Sequence, residues 1–310
     1  MKILVTGGAG FIGSNVVDAM IEAGFEVVVV DNLSTGHEEN VNPRAKLYKV
    51  DIRSPELEQV FQQEHPDFVD HHAAQISVRI SVQKPMEDAQ INVLGSLNVI
   101  ECCQKYGVKN LIYISTGGAV YGEPIYLPCD ESHPVNPICH YGATKHAPEH
   151  YLYLYRQLYG LNYVVLRYPN VFGPRQDPLG EAGVVAIFIG QMLRGEQVII
   201  NGSGEQERDF VYVGDCVRAN LLALERGDGE IYNIGCGRGT SVNEIYAKLK
   251  EITGYTLDAQ HGPPKAGETF KIYLDATKAE RELGWKPLVS LDEGMRQTVD
   301  FFRNRMLSTV

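Results

Sequence analysis

Short, continuously apolar runs alternate with amphipathic stretches over about the first 170 residues of the chain. Because these runs lack a polar face, they predict strands buried on both sides of a parallel sheet. The predicted strands are Lys2–Thr6, Val27–Val30, Phe68–His71, Leu111–Ser115 and Tyr163–Arg167. The predicted helices between them lie near residues 55–64, 93–106 and 142–159. This alternation predicts parallel βαβ units with right-handed crossovers, and therefore a doubly wound α/β sheet.

The pattern changes after about residue 170, where glycine- and proline-rich loops separate shorter elements. We therefore divide the chain into a sheet domain over residues 1–168 and a smaller, interleaved lobe over residues 169–310. Apolar runs at Val211–Val213 and Ile231–Ile234 predict two further strands. We expect this part of the chain, near residues 208–236, to return to the main sheet.

Composition narrows the class of protein. The 310 residues are 44% apolar, enough to bury a large core, and carry a net charge of −11. That charge argues against nucleic acid and anionic membranes as partners. We expect a cytoplasmic protein, because no segment has the apolar length of a membrane span and a glycine-rich loop at residue 7 leaves no room for a signal peptide. Six cysteines without a CxxC pair predict reduced, mostly buried thiols and no metal site.

The first predicted strand leads directly into a glycine-rich loop with the spacing GxxGxxG. Its glycines are Gly7, Gly10 and Gly13. They suit a tight turn, a close approach of the backbone to a pyrophosphate, and contact between helix and strand. The following helix would direct its free N–H groups at the phosphates. This pattern predicts a Rossmann-type dinucleotide site.

A carboxylate at the end of the second predicted strand indicates which dinucleotide binds. Asp31 lies where it would accept hydrogen bonds from the adenosine ribose hydroxyls. Its negative charge would repel a 2′-phosphate, so NAD is favoured over NADP. In a parallel sheet the carboxyl ends of the strands share one rim, which predicts that Asp51, Ala73–Gln75, Ser115 and Thr116 also line the site.

Two adjacent histidines, His71 and His72, close the third predicted strand. Neighbouring residues on a strand point to opposite faces, so the pair cannot readily chelate one ion. We interpret them as packing residues near the cofactor.

Tyr141 and Lys145 are separated by one helical turn in the sequence Tyr-Gly-Ala-Thr-Lys. That spacing places both side chains on one face of a helix. A phenol titrates near pH 10 in water, and a nearby ammonium group favours its ionised form. The two residues therefore form a candidate acid/base pair.

These motifs, taken in order along nearly the whole chain, resemble the extended short-chain dehydrogenase/reductases that act on nucleotide sugars, and among them the UDP-hexose 4-epimerases. The motifs are GGAGFIGSN at 7–15, DNLSTG at 31–36, HHAAQ at 71–75, STGGAVYG at 115–122, YGATK at 141–145, RYPNVFGPRQ at 167–176, RDFVYV at 208–213 and LGW at 283–285.

The resemblance implies NAD as the cofactor and a UDP-sugar as the substrate. It also implies further cofactor-binding positions beside the glycines, Asp31, Tyr141 and Lys145. These are Phe11, Ile12, Asn32, Ser34, Thr35, Gly36, Asp51, Ile52, Ala73, Ala74, Gln75, Asn92 and Tyr168.

In this family the sugar is oxidised at C4 to a transient 4-keto sugar, and nearby side chains determine how that intermediate reacts. The resemblance implies that 4,6-dehydratases and UDP-glucuronate decarboxylases carry an acidic residue in the stretch equivalent to Thr116–Val120, where this chain has none. An epimerase needs none, so the resemblance implies 4-epimerisation of UDP-galactose and UDP-glucose. A 4-epimerase of UDP-N-acetylglucosamine or UDP-glucuronate, or a related decarboxylase or reductase, is the alternative. A non-catalytic NAD-binding sensor is disfavoured because Tyr141 and Lys145 are both present.

The chain departs from the family at one catalytic position. The serine or threonine that shares the substrate proton with the tyrosine would align with Gly117. Either Ser115 or Thr116 must then supply the hydroxyl, and we expect Thr116 to do so.

On the substrate side, the resemblance implies contacts with the nucleotide diphosphate, the uracil, the ribose and the hexose. Arginine can grip phosphate bidentately. The implied residues are Asn170, Gly183, Val184, Val185, Arg208, Lys265, Glu268 and Ile272, together with Thr116 and Tyr141. Lys265 and Glu268 stand where many epimerases have arginine and aspartate, and Ile272 stands where residue size governs the entry of N-acetylhexosamines. The choice between hexose and N-acetylhexosamine therefore stays open.

Leu152, Tyr153, Tyr155, Leu158 and Tyr159 lie on more than one face of the predicted helix near 142–159. This pattern indicates only that more than one side is buried. In the family, the equivalent helices pair into a four-helix bundle, so the resemblance implies a homodimer.

Overall fold

We describe the protein from a computed structural model that covers residues 1–178, 183–264 and 269–308. The largest sheet within these ranges has seven strands, all parallel. In spatial order they are β11 (Glu230–Asn233), β6 (Tyr163–Tyr168), β5 (Asn110–Thr116), β4 (Phe68–His71), β1 (Lys2–Thr6), β2 (Glu26–Val30) and β3 (Lys46–Tyr48). This Rossmann-type order confirms the fold class expected from the sequence.

Helices cover both faces of the main sheet. In chain order the helices are α1 (Phe11–Glu22), α2 (Glu56–Glu64), α3 (Val78–Gln83), α4 (Pro85–Ala89), α5 (Ser96–Lys105), α6 (His140–Tyr159), α7 (Val184–Leu193), α8 (Val213–Ala223), α9 (Val242–Thr253), α10 (Thr277–Leu283) and α11 (Leu291–Ser308). Helices α2, α5 and α6 pack on one face of the sheet, and α1 and α8 pack on the other. Since helices cover both faces, the interior strands β1 and β2 are mostly apolar.

A second region gathers α7, α9 and α11 around its own core. Its strands are short and form three small sheets within the part of the chain that the structure describes. They are β7 (Asn170–Phe172), β8 (Ile199–Asn201), β9 (Glu207–Arg208), β10 (Phe210–Tyr212), β12 (Thr240–Ser241), β13 (Gln260–Gly262) and β14 (Lys271–Ile272). We call this the small-sheet region. Because α8 packs on α1 and β11 pairs with β6, the chain returns to the main sheet after first entering this region.

The two later strands predicted to return to the main sheet have different outcomes. The prediction at Ile231–Ile234 is confirmed, since β11 forms the edge of the main sheet beside β6. The prediction at Val211–Val213 is wrong. Strand β10 pairs with β7 in a separate two-stranded sheet, and Val213 already begins α8. A three-residue apolar run does not specify which partner it pairs with.

The helix predicted near 93–106 begins earlier than expected. Helix α4 passes through a π-helical segment, Gln90–Gly95, into α5. The helix that carries Tyr141 and Lys145 runs without interruption through Pro148 to Tyr159. None of the helices in the described ranges is both long and apolar enough to cross a membrane.

Candidate active site

The glycine loop turns tightly between β1 and α1. Gly7 has a φ of 69° and accepts a hydrogen bond from the Gly10 amide at 3.0 Å. A Cβ on Gly13 would lie 2.3 Å from the Gly7 carbonyl oxygen, so only glycine fits there. The α1 N-terminus, including Phe11 and Ile12, carries no acidic residue in its first turn. This arrangement fits a pyrophosphate group.

Asp31 is buried directly after β2, and its carboxylate accepts hydrogen bonds from the backbone of two loops. One carboxylate oxygen accepts the Ala9 amide at 3.0 Å, and the other accepts the Leu33 amide at 2.8 Å. A Cβ on Gly36 would lie 3.0 Å from both carboxylate oxygens. The exposed Ser34 and Thr35 lie in the same loop. The carboxylate thus stands at the rim, where the ribose of a dinucleotide would lie.

The neighbouring loop carries Asp51 and Ile52. The Asn32 amide donates to Asp51 at 2.9 Å, and the Arg53 guanidinium pairs with the same carboxylate at 2.7 Å. The hydrogen bonds from Arg53 and Asn32 outweigh partial burial and lower the pKa of Asp51 to about 2. Ile52 is buried, and its carbonyl accepts the Asn98 amide at 2.7 Å. Both residues follow β3 along the chain, and their contact with a cofactor stays a prediction.

The loop after β4 is held by Asn92, which lies in the π-helical segment. Asn92 accepts the Gln75 amide at 2.8 Å and donates to the Gln75 carbonyl at 3.0 Å. The Ala73 amide donates to the Thr6 hydroxyl at 3.2 Å. The Ala73–Gln75 backbone is therefore fixed beside the glycine loop, where a Cβ on Gly7 would meet the Ala73 nitrogen at 2.7 Å.

The two histidines point to opposite faces. His71 is buried between Thr6, whose hydroxyl lies 2.6 Å from Nδ1, and Ser96, whose hydroxyl lies 2.9 Å from Nε2. His72 instead pairs with Asp70 at 3.0 Å. No group of three or more potential metal ligands is present within residues 1–178, 183–264 and 269–308.

Tyr141 and Lys145 occupy the first turns of α6 next to β5. The Lys145 ammonium nitrogen lies 4.4 Å from the centre of the Tyr113 ring, and the Tyr113 hydroxyl donates to the Lys145 carbonyl at 3.0 Å. Burial lowers the pKa of Lys145 to about 7, although Glu149 and Asp88 oppose this. Desolvation raises the pKa of the Tyr141 hydroxyl well above its usual value, and a hydrogen bond with Thr116 opposes that shift.

Thr116 and Ser115 point to different surroundings at the end of β5. Thr116 lies beside the Tyr141 hydroxyl, whereas Ser115 lies beside Glu149 on the α6 side of the sheet. A side chain at position 117 would have to displace Leu274, because a Cβ there would lie 2.3 Å from a methyl group of that residue. Leu274 thus fills the space that a hydroxyl side chain at position 117 would need.

Several predicted substrate residues meet where the small-sheet region approaches this rim. A Cβ on Gly118 would lie 3.8 Å from the Thr116 hydroxyl and 3.9 Å from the Asn170 side-chain oxygen. Arg208 pairs in register with Ile272, and the Asn170 amide donates to the Asp209 carbonyl at 3.0 Å. The structure therefore brings Asn170, Arg208 and Ile272 to one side of the site.

The remaining predicted site residues lie in several different surroundings. Gly183 has a φ of 120° and precedes α7, which Val184 and Val185 begin. Tyr168 is buried, and its hydroxyl donates to the Cys216 carbonyl in α8 at 3.3 Å. Lys265 and Glu268 lie outside the described residues.

Sequence reasoning missed two buried carboxylates behind the Tyr–Lys pair. Asp88 accepts the Thr144 hydroxyl at 2.7 Å. Glu149 pairs with Arg167, whose guanidinium also donates to the Tyr121 hydroxyl at 2.9 Å. The only signal in the sequence is spacing, since Glu149 follows Lys145 by one helical turn and therefore lies on the same face.

A dinucleotide loop joined to a Tyr–Lys pair one helical turn apart defines a Rossmann-fold protein of the short-chain dehydrogenase/reductase class. The model of the NAD-dependent epimerase/dehydratase family matches residues 3–235. The chain belongs to this family.

Three solved or characterised proteins resemble the chain along nearly its full length. The crystal structure of UDP-glucose 4-epimerase with UDP-glucose from Thermotoga maritima is 55% identical, covers 99% of this chain and 100% of its own, and superposes with a TM-score of 0.97. That of the Thermus thermophilus UDP-glucose 4-epimerase with NAD is 46% identical over 98% and 99%, with a TM-score of 0.94. The Mycolicibacterium smegmatis UDP-glucose 4-epimerase is 42% identical over 98% of this chain and 99% of its own.

Proposed function

We propose that this protein is an NAD-dependent UDP-hexose 4-epimerase that interconverts UDP-galactose and UDP-glucose through a transient 4-keto sugar. The observation that carries the proposal is the half-buried Tyr141 one helical turn from the buried Lys145 and beside Thr116, with no acidic residue in Thr116–Val120. The similarity to UDP-glucose 4-epimerases over nearly the full chain supports it.

The residues at the rim fit NAD. The glycine loop and the α1 N-terminus would hold the pyrophosphate, and Asp31 would accept the adenosine ribose hydroxyls. When bound, NAD supplies a hydride acceptor that returns the hydride to the same sugar carbon. The chain itself contributes the orientation of the cofactor and the handling of the proton.

Tyr141 is the group that takes the proton from the sugar hydroxyl and later returns it. For this its hydroxyl must ionise, which desolvation opposes. Thr116 hydrogen-bonds with it, and the Lys145 ammonium one turn away stabilises the phenolate. Asn170, Arg208 and Ile272 hold the nucleotide diphosphate and the sugar against this group.

The absence of an acid beside Thr116 favours epimerisation over elimination or decarboxylation. Those reactions need an extra group to remove or deliver protons at other carbons, whereas epimerisation returns one hydride to C4 and one proton to the oxygen on C4. The 4-keto sugar then needs only room to turn over between the two transfers.

We further propose that the protein acts as a homodimer. Exposed apolar side chains cluster on α6 and on the segment before α5: Leu94 is 58% exposed, Leu154 37% and Leu158 68%. Exposed apolar patches of this kind mark association surfaces. Light scattering coupled to gel filtration would give twice the mass of one chain, and Leu158→Glu would shift it toward the monomer.

We also propose a cytoplasmic location. All six cysteines are free thiols, in keeping with a reducing compartment.

The test of the enzymatic proposal is incubation of the purified protein with UDP-galactose and no added NAD, with chromatography of the products. Appearance of UDP-glucose is the expected result, because retained cofactor is reused within the site. UDP-N-acetylgalactosamine and UDP-galacturonate are tested in parallel. If one of these is converted and UDP-galactose is not, that sugar replaces UDP-galactose as the proposed substrate. No conversion of any of the three sugars would reject the epimerase proposal.

A further inference from the structure

A buried ion pair lies behind the catalytic helix. Glu149 is 2% exposed and Arg167 is 3% exposed. The guanidinium donates to both carboxylate oxygens, from Nε to Oε1 at 3.0 Å and from a terminal nitrogen to Oε2 at 2.6 Å. A two-point contact of this kind fixes the carboxylate in one orientation.

We propose that Glu149 is a positioning residue of the active site: its carboxylate, anchored by Arg167, keeps the Lys145 side chain as the ammonium that the Tyr141 phenolate needs. The inference deepens the proposed epimerase function and rests on it for its kinetic readout. It assigns a role to a residue one helical turn from Lys145, on the side away from Tyr141.

Lys145 needs such support because its surroundings favour the neutral amine. The residue is 4% exposed, and burial lowers its pKa to about 7. Two carboxylates oppose this effect, Glu149 first and Asp88 second. An ammonium that must remain charged in a buried site requires a fixed counter-charge.

Two of the other groups around Lys145, Tyr113 and His71, carry no such charge. Tyr113, from β5, presents its ring face to the ammonium and keeps its hydroxyl proton, since burial raises the pKa of that hydroxyl well above its usual value. His71, from β4, is held neutral because burial, and then Lys145, lower its pKa well below the usual range. Asp88, from α4, is the second carboxylate.

Glu149 itself remains ionised despite its burial. Desolvation alone would raise the pKa of Glu149, but hydrogen bonds from Arg167 and His146 outweigh it and lower the pKa to about 2. His146 Nδ1 lies 2.8 Å from Oε2. The carboxylate is therefore a permanent negative charge over the working pH range.

The Glu149–Arg167 ion pair is also hydrogen-bonded to the segment that follows Thr116. Arg167 donates to the Tyr121 hydroxyl at 2.9 Å, and that hydroxyl donates to Asn233 at 2.7 Å. The ion pair thus joins α6, β6, β11 and the segment after Thr116. A cavity of about 350 Å³ is lined in part by Glu149 and His146.

The experiment compares Glu149→Gln with the wild-type protein by two measurements. The first is carbon NMR of protein labelled at lysine Cε, with the Lys145 resonance assigned by its loss in Lys145→Met. We expect the titration midpoint of this resonance to move to lower pH in Glu149→Gln. The second is the pH profile of kcat for UDP-galactose. We expect the basic limb of this profile to move to lower pH and the acidic limb to move to higher pH. A displacement of roughly one pH unit lowers kcat at neutral pH about tenfold.

Glu149→Gln leaves the Arg167 charge unpaired. A second variant therefore separates the effect of Glu149 on Lys145 from its neutralisation of Arg167. In Glu149→Gln/Arg167→Met both charges are absent and the pair is replaced by neutral groups. If Glu149 acts on Lys145, the double variant still shows the lower Lys145 midpoint. A Lys145 midpoint at the wild-type value in the folded double variant would overturn the proposal, because Glu149 would then serve only to neutralise Arg167.

His146→Gln is the matched control. It removes the more exposed partner of Glu149 and leaves the Arg167 contact, so the Lys145 midpoint should stay at the wild-type value. A midpoint that moves as far in His146→Gln as in Glu149→Gln would also overturn the proposal. The NMR titration needs no turnover, so it decides the role of Glu149 even if UDP-galactose proves not to be the substrate.

Discussion

The main sheet and the small-sheet region hold their functional residues in different ways. Strand β5 spans seven residues, all buried, and its neighbours pair with it in one continuous parallel register. Strands β9 and β14 span two residues each. In the main sheet, long elements set the position of Thr116 and Tyr141. In the small-sheet region, individual side chains must position the loops.

Asp209 shows how such a side chain works. The buried carboxylate accepts the Cys236 amide at 2.9 Å, the Gly237 amide at 3.2 Å and the Leu274 amide at 3.1 Å. One residue thus joins three segments and also places Leu274 against Gly117. We infer that substitutions in the main sheet can remove function while the fold survives, whereas substitutions at Asp209 affect fold and substrate binding together.

The largest expected effect is in the main sheet. Tyr141→Phe should lower kcat by roughly 10³-fold, the middle of the range for a general acid/base group, while UDP binding stays near normal. The melting temperature should change little, because the ring and its packing are retained. Calorimetry with UDP and steady-state kinetics measure the two quantities. A variant with full activity would remove Tyr141 from the mechanism.

Thr116→Val should lower kcat by about 10²-fold, since it removes one contact to the reacting proton and keeps the shape of the side chain. A compensating variant sharpens this test. Gly117→Ser combined with Leu274→Ala creates room for a hydroxyl at position 117, and in the Thr116→Val background it should restore part of the activity. Gly117→Ser alone should not, because Leu274 occupies that space. Rescue by the single change would contradict this account of position 117.

Gly13→Ala should weaken NAD retention by about tenfold to a hundredfold, because the new Cβ would press on the Gly7 carbonyl at 2.3 Å and overpacking costs about 1–3 kcal/mol. Nicotinamide released after denaturation of the purified protein measures the effect. Gly24→Ala is the control: its φ of 88° makes alanine strained, but no atom lies within 4 Å. It should lower the melting temperature and leave NAD content unchanged.

In the small-sheet region, Asp209→Asn should cost about 1–3 kcal/mol of unfolding free energy, since an amide cannot accept all the backbone donors. Burial raises the pKa of Asp209 from 3.8 to about 6. The folded state therefore binds the proton more tightly, and the stability from this group is lost as pH rises from 3.8 through about 6. Denaturant unfolding at several pH values should show that the unfolding free energy lost in Asp209→Asn becomes smaller as the pH rises from 3.8 to about 6. A loss independent of pH would contradict the raised pKa.

The smallest effect is expected at Glu64, a buried carboxylate that links β1 and β3 through Lys2 and Lys46. Burial alone would raise the pKa of Glu64, but hydrogen bonds from Lys2, Lys46 and Tyr48 lower it from 4.5 to about 2. Its stabilisation is present above pH 4.5 and is lost as the pH falls toward 2, opposite to Asp209. Glu64→Gln should cost about 1 kcal/mol near neutral pH. The cost should vanish in acid, and an equal cost at low pH would contradict this assignment.

The local patterns of the sequence account well for the main sheet. Short apolar runs, such as Val27–Val30, predict buried strands because both faces of a parallel sheet are covered. Glycine spacing predicts the dinucleotide loop because each glycine has a separate steric purpose. The Tyr141–Lys145 spacing predicts a shared helical face. In each case the determining contacts lie within a few residues along the chain.

The same patterns misplaced Val211–Val213, because a strand of three residues has too little pattern to choose a partner. They could not show that Leu274 blocks position 117, that Asp209 gathers three loops, or that Arg167 anchors Glu149 behind Lys145. These contacts join residues far apart in the chain. The sequence by itself therefore determined the fold class, the dinucleotide loop and the acid/base pair. Only the tertiary structure decided what surrounds that pair, because burial and charge at a site depend on side chains that local periodicity does not bring together.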